Sequence, residues 1–137
     1  MRKPTIVLVD DDVTFLEELE EVLRSNGYSV ESVSDPLAAV QAIQKAEPDA
    51  VLLDLKMDEK DGFDIARELS QDPATAKIPV IAMTGHYSED ALERLKRSGV
   101  VKSFLIKPLS ISDVMAKLEE VRGPGQTGSS CLDNRAA

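Results

Sequence analysis

The sequence predicts an α/β fold in which five parallel strands form one doubly wound sheet with five helices on its two faces. Four short, continuous apolar runs are typical of strands covered on both sides, and segments with helical spacing of apolar residues alternate with them. Such alternation favours a parallel sheet with right-handed crossovers. With 137 residues, the chain is long enough for one domain with a real core.

The predicted strands differ in how they are patterned. Residues 28–33, YSVESV, alternate between apolar and polar side chains, which suits an edge strand. The other four strands are continuous apolar runs, so we expect both of their faces to be buried. These runs are Thr5 to Val9, Ala50 to Leu53, Ile78 to Met83 and Ser103 to Ile106.

The predicted helices have recognisable start and stop signals. Asp12 is the expected N-cap of the first helix and Gly27 its end, while Asp35 and Pro36 open the second, which ends before Pro48. The fourth helix ends at Gly99, and Ser110 with Asp113 resembles a capping box that opens the fifth. The apolar positions of the five helices are Phe15, Leu16, Leu19, Val22 and Leu23; Leu37, Val40 and Ile43; Phe63, Ala66 and Leu69; Ala91, Leu92 and Leu95; and Ile111, Val114, Met115, Leu118 and Val121.

Composition excludes several classes of protein. The formal charge of −9 repels phosphate backbones, so nucleic acid is not an expected partner of this domain. The basic N-terminus is followed by only a short apolar stretch ending in acids, so we expect neither a signal peptide nor a membrane span. The single cysteine, Cys131, cannot form an internal disulfide, which fits a reducing compartment. We expect a cytoplasmic protein with a domain over residues 1–122 and a flexible tail or linker over 123–137.

Four predicted strands deliver polar side chains to one edge of the sheet. Asp10 and Asp11 follow the first strand, Asp54 the third, Thr84 the fourth and Lys107 the fifth. In parallel sheets the ligand lies beyond the carboxyl ends of the strands, near the point where the strand order reverses. The sequence therefore predicts one site that combines carboxylates, a hydroxyl and an amine.

The clustered carboxylates predict a metal ion and a phosphoryl acceptor. At ~4 Å and an effective dielectric of ~20, one pair of like charges costs on the order of 4 kcal/mol, and a divalent cation offsets this repulsion. Hard oxygen ligands with open water positions suit Mg²⁺. Asp54 is the expected nucleophile, because a carboxylate can accept a phosphoryl group as an acyl phosphate. The ammonium of Lys107 and the hydroxyl of Thr84 would bind other phosphoryl oxygens.

The motifs VDDD, LLDLKM, MTG and F-x-x-KP closely resemble, in order and spacing, the receiver domain of two-component response regulators, over residues 4 to about 122. The resemblance implies a flavodoxin-like sheet of strand order 2-1-3-4-5. It also implies Mg²⁺ as the cofactor, with metal ligands on the side chains of Asp10, Asp11 and Asp54 and on the backbone carbonyl of Lys56. Asp54 would be the phospho-acceptor, assisted by Thr84 and Lys107.

Further expectations rest on the same resemblance. The Lys107–Pro108 bond would be cis, and Phe104 falls on the position of an aromatic switch, although a core aromatic with no switching role stays open. The donor would be a histidine kinase or a histidine phosphotransfer protein. A downstream protein would bind the surface of the fourth helix, fifth strand and fifth helix. The chain would be a phosphorylation switch that catalyses only its own phosphorylation and dephosphorylation, without an enzyme's turnover of other substrates.

Two departures from the family pattern fall next to the site. The family often reads Met-Pro-x-Met-Asp-Gly after the acceptor, whereas this chain has no proline between Met57 and Gly62, and glycine at position 85 replaces a common alanine. Lys56 and His86 fall on positions that the resemblance links to the rate of self-dephosphorylation. We expect Lys56 to shield the phosphoryl group and prolong its lifetime, but solvated side chains at both positions stay open.

Two other functions share parts of this pattern. A haloacid-dehalogenase-type phosphatase also uses an aspartate nucleophile and Mg²⁺, but it needs a second acid two residues later, where this chain has Lys56. A flavodoxin-like electron carrier shares the fold, but its flavin phosphate would meet three aspartates after the first strand. Phosphatase turnover or a yellow purified protein would favour these alternatives.

Overall fold

The structure is a computed structural model that describes residues 3–55, 57, 62–85, 93, 97, 101 and 103–122. Within these residues, strands alternate with helices as the sequence predicts. The predicted fourth helix and the tail at 123–137 lie outside the described residues, apart from positions 93 and 97. The elements are β1 (Thr5–Val9), α1 (Val13–Ser25), β2 (Ser29–Val33), α2 (Ala39–Ala46), β3 (Ala50–Asp54), α3 (Gly62–Gln71), β4 (Val80–Thr84), β5 (Ser103–Ile106) and α4 (Ile111–Arg122), which is the predicted fifth helix.

The five strands form one parallel sheet in the order β2-β1-β3-β4-β5, which confirms the predicted fold class and strand order. The strand order reverses where β1 lies beside β3, with Val9 opposite Leu53. On the other side of β3, Asp54 is opposite Met83 of β4. Because these carboxyl ends are in register, the residues that follow β1 and end β3 lie next to each other.

The sheet buries both of its faces. Successive side chains in a strand point to opposite sides, so Ile6 and Leu8 of β1 belong to one core cluster and Val7 and Val9 to the other. The first cluster joins the sheet to α1 and α4, and the second joins it to α2 and α3. This two-sided burial explains the continuous apolar runs of β1, β3 and β4. The expectation was wrong for β5, which among the described residues has only one neighbouring strand in the sheet and leaves Ile106 exposed.

The predicted helix caps are present. The Asp12 side chain accepts a hydrogen bond from the backbone N–H of Phe15 at 3.1 Å, and Ser110 Oγ accepts one from the N–H of Asp113 at 3.1 Å. Asp35 accepts from the N–H of Leu37, but the segment it opens begins as a 3₁₀ turn over Pro36–Ala38 before α2. The caps of α1 and α4 thus position the loops that follow β1 and β5.

Two strands were predicted to start too early: β2 begins at Ser29, one residue later than predicted, and β4 begins two residues later. The run from Ile78 begins as β4 only at Val80, because the N–H of Ile78 bonds to the carbonyl of Thr75 in a turn and Pro79 has no N–H. The same strand extends one residue further than predicted and includes Thr84. Among the described residues, no helix is both long enough and apolar enough to cross a membrane.

Candidate functional site

Three carboxylates meet at the carboxyl edge of the sheet. Asp10 directly follows β1 and is 1% exposed, Asp54 is the last residue of β3 and is 5% exposed, and Asp11 is exposed to solvent. One oxygen of each carboxylate lies within 4.8 Å of the others. The structure therefore brings together the three acids that the sequence assigned to one site.

Both oxygens of the buried Asp10 carboxylate are bound. Oδ1 accepts the backbone N–H of Asp12 at 3.0 Å, and Oδ2 accepts the Nζ of Lys107 at 2.7 Å. A carboxylate this deeply buried is stable only when its charge is compensated and its oxygens have donors. Asp10 thus links the N-terminal turn of α1 to the loop after β5.

Lys107 reaches the site from the other side of β4. The N–H of Lys107 donates to the carbonyl of Thr84 at 2.8 Å, which continues the pairing of β4 with β5, and the Lys107–Pro108 bond is cis as expected. Its Nζ lies 3.8 Å from Asp54 Oδ2 and 4.4 Å above the centroid of the Phe15 ring. The ammonium therefore lies between two carboxylates and an aromatic face.

The backbone that directly follows Asp54 is held by two hydrogen bonds. The N–H of Leu55 donates to the carbonyl of Met83 at 3.0 Å, and the N–H of Gly62 donates to the carbonyl of Leu55 at 3.1 Å. A Cβ on Gly62 would overlap the carbonyl oxygen of Asp54 and lie 2.7 Å from Leu55 Cα. Only glycine lets the first turn of α3 approach the carboxyl end of β3 this closely.

The other residues that the sequence assigned to the site are Thr84, Phe104, Lys56 and His86. Thr84 ends β4 and is 8% exposed, at the same edge as the acids. Phe104 is half-buried opposite Ala82 and packs in a small cluster with Leu55. Lys56 and His86 lie outside the described residues, so the predicted carbonyl ligand and the predicted shielding of the phosphoryl group stay predictions.

Two residues that the sequence did not single out for the site also lie against it. Phe15 was assigned only to the apolar face of α1, and Gly62 only to the loop motif, yet the structure places one against Lys107 and the other against Asp54. A signal for Phe15 does exist in the sequence, because it lies three residues after the N-cap Asp12, in the first turn of α1 and close to the acids. Its contact with Lys107 depends on tertiary structure.

The electrostatics of the site favour a cation. Lys107 Nζ lies 2.7 Å from Asp10 and 3.8 Å from Asp54, and Asp11 is a third carboxylate beside this pair. Carboxylate oxygens of a partly solvated cluster are hard ligands of the type that Mg²⁺ takes, together with water. The donor set therefore fits a divalent cation.

Comparison with known proteins identifies the class of this fold and site. Residues 6–119 match the family described as the response regulator receiver domain. The chain belongs to this family, as the motif resemblance predicted. The alternative of a haloacid-dehalogenase-type phosphatase gains no support from the match.

Two similar proteins are named as transcriptional regulatory proteins, which is consistent with the family assignment. The chain is 33% identical over 116 residues to the transcriptional regulatory protein PdtaR of Mycobacterium tuberculosis. The aligned region covers 83% of this chain and 54% of PdtaR. It is 36% identical over 117 residues to the transcriptional regulatory protein ZraR of Escherichia coli, covering 84% of this chain and 25% of ZraR. The match thus spans about half or less of the length of these relatives.

A solved structure adds a metal to the comparison. The receiver domain of the sensor histidine kinase PA1611 from Pseudomonas aeruginosa matches with a TM-score of 0.80 and 28% identity, covering 89% of this chain and 99% of that one. That protein has a magnesium ion coordinated in its active site cleft. Receiver domains of this family are regulatory switches of two-component signalling.

Proposed function

We propose that this domain accepts a phosphoryl group from a phosphohistidine donor onto Asp54 in a Mg²⁺-dependent reaction, and that the modification alters a partner surface. The observation that carries the proposal is the position of Asp54. Its carboxylate lies at the edge of the sheet with Asp10 and Asp11 within 4.8 Å and the Lys107 ammonium 3.8 Å away. An acceptor, a set of metal ligands and a cation thus converge on one point.

Asp10 and Asp11 would hold the metal ion beside Asp54. When bound, Mg²⁺ supplies positive charge for the oxygens of the incoming phosphoryl group. The three carboxylates provide hard oxygen ligands, and the exposure of Asp11 leaves the site accessible from solvent. The magnesium in the cleft of the PA1611 receiver domain supports this choice of ion.

In phosphoryl transfer, Asp54 would act as the nucleophile and Lys107 as the neutralising cation. The Asp54 carboxylate attacks phosphorus, and the bond between phosphorus and the donor nitrogen breaks, so that the electron pair of that bond leaves with the donor imidazole. Lys107 neutralises an oxygen of the transferred group, because its ammonium already lies 3.8 Å from Asp54 Oδ2. Thr84, at the end of the adjacent strand, would hydrogen-bond to another oxygen.

The signal would then pass to a partner. We propose that Thr84 moves toward the phosphoryl group, that Phe104 packs into the space it leaves, and that the surface around β5 and α4 changes. The donor would be a histidine kinase or a histidine phosphotransfer protein, as for other receiver domains of response regulators. Amide chemical shifts measured with and without beryllofluoride test this step, and perturbations confined to the loops around Asp10 and Asp54 would contradict it.

The acceptor is tested by intact mass. Incubation with acetyl phosphate and Mg²⁺ should add one phosphoryl group to the wild type, and Asp54→Asn should abolish the addition. Asp49→Asn is the matched control, because Asp49 precedes the same strand at its opposite end, where its side chain accepts the N–H of Thr5 at 2.7 Å. A phosphoryl group that maps to another residue while Asp54 stays unmodified would overturn the assignment.

A further inference from the structure

Four residues around the site form a closed ring of contacts. Asp10 Oδ1 accepts the N–H of Asp12 at 3.0 Å, and Asp12 Oδ1 accepts the N–H of Phe15 at 3.1 Å. The ring of Phe15 lies 4.4 Å from Lys107 Nζ, and Lys107 Nζ returns to Asp10 Oδ2 at 2.7 Å. The N-cap of α1 therefore fixes the carboxylate and the aromatic face that both hold the same ammonium.

The aromatic ring of Phe15 gives Lys107 a kind of contact that the carboxylates do not. A lysine ammonium over an aromatic face is attracted to the ring electrons without having its charge neutralised. Lys107 has a flexible four-carbon stem and is 24% exposed, so an ammonium without this contact would sample solvent more often. Phe15 is half-buried against the core, which keeps its ring in place.

The ammonium also lies nearer to Asp10 than to Asp54. It lies 2.7 Å from Asp10 but 3.8 Å from Asp54, so neutralising a phosphoryl group on Asp54 requires it to loosen its bond to Asp10. The contact with the Phe15 ring depends on neither carboxylate. It can therefore persist while the ammonium shifts from one oxygen to the other.

We propose that Phe15 is a positioning residue for Lys107, whose ring holds the ammonium at the edge of the sheet while it exchanges Asp10 for the phosphoryl group. This inference rests on the proposed function. The competing explanation is that Phe15 only packs, since it also lines a groove of about 140 Å³ with Leu19, Val22 and Ile111. A test must therefore separate the electrons of the ring from its shape.

Fluorination of the Phe15 ring separates its electronic effect from its shape. Site-specific incorporation of 4-fluoro-, 3,5-difluoro- and 3,4,5-trifluorophenylalanine at position 15 withdraws electron density from the ring face while nearly preserving its shape. We expect the rate constant for phosphorylation by acetyl phosphate at saturating Mg²⁺ to fall stepwise along this series. Phe15→Leu should lower it about fivefold, equivalent to about 1 kcal/mol, and Phe15→Tyr should stay within about twofold.

A second readout reports the contact without phosphorylation. The ε-methylene protons of Lys107 should be shifted upfield by the ring current in the wild type and in Phe15→Tyr, and should lose that shift in Phe15→Leu. Val22→Ala is the control, because it truncates the same groove about two turns further along α1. It should leave both the rate and the Lys107 shift unchanged.

The outcomes distinguish this inference from the proposed function. A flat fluorine series in a protein that is phosphorylated, an unshifted Lys107 in the wild type, or a Val22→Ala variant as slow as Phe15→Leu would each overturn the positioning role alone. A wild type that takes no phosphoryl group, even with a shifted Lys107, would overturn the proposed function and the positioning role with it.

Discussion

Replacing Lys107 by methionine should destabilise the domain in the absence of Mg²⁺ and strengthen its binding of Mg²⁺. Methionine keeps an unbranched apolar stem of similar length but lacks the charge. The variant leaves Asp10, which is 1% exposed, facing Asp54 and Asp11 without the ammonium. One substitution therefore changes stability and metal affinity in opposite directions.

The magnitude follows from the distances. At an effective dielectric of ~20, the attraction is about 6 kcal/mol for Lys107 and Asp10 at 2.7 Å, and about 4 kcal/mol for Lys107 and Asp54 at 3.8 Å. Desolvation of the ammonium offsets much of this, and breaking a buried pair costs about 3–5 kcal/mol when one charge is left behind. Because 24% of the Lys107 side chain remains in solvent, we expect a loss of about 2–3 kcal/mol.

The assay is urea unfolding in EDTA and at several Mg²⁺ concentrations. Without the competing ammonium we expect Mg²⁺ to bind Lys107→Met about tenfold more tightly, so saturating Mg²⁺ should add about 1.4 kcal/mol more to the variant than to the wild type. Lys117→Met is the control, since Lys117 forms an exposed pair with Glu120 at 3.5 Å, and it should change stability by less than about 0.5 kcal/mol. Equal stability of Lys107→Met and wild type in EDTA, or an equal gain from Mg²⁺, would refute the reasoning.

Two further substitutions test the proposed metal ligand Asp11 and the packing of Gly62 against Asp54. Asp11→Asn should remove most of the rise in thermal stability that millimolar Mg²⁺ gives the wild type, because one charged ligand is lost; a full Mg²⁺ effect in the variant would contradict the assignment. Gly62→Ala should cost about 2–3 kcal/mol in urea unfolding, because its Cβ would overlap the Asp54 carbonyl. Gly85→Ala, where a Cβ meets no atom of the described residues within 4 Å, should cost less than about 0.5 kcal/mol, and equal effects of the two would show that the overlap is relieved elsewhere.

Local patterns in the sequence were enough to predict the sheet and the positions of its acids. The strands β1, β3 and β4 are buried on both faces, so their apolar runs are continuous, and a parallel sheet places all carboxyl ends at one edge. Asp10, Asp11 and Asp54 therefore had to be neighbours once the strand order was known. The start of β4 was predicted too early because a turn that binds the N–H of Ile78 cannot be read from hydrophobicity.

The chain by itself determined which residues reach the site, and the tertiary structure decided how they are held there. Lys107 lies at this edge of the sheet because it directly follows β5. That its ammonium binds Asp10 at 2.7 Å, stays 3.8 Å from Asp54 and lies over Phe15 depends on where the first turn of α1 lies relative to the residue that follows β5. The same holds for Gly62, whose close approach to Asp54 joins two elements eight residues apart. Periodicity and caps act over a few neighbouring residues, whereas these contacts are set by the packing of separate elements against one another, which no local pattern encodes.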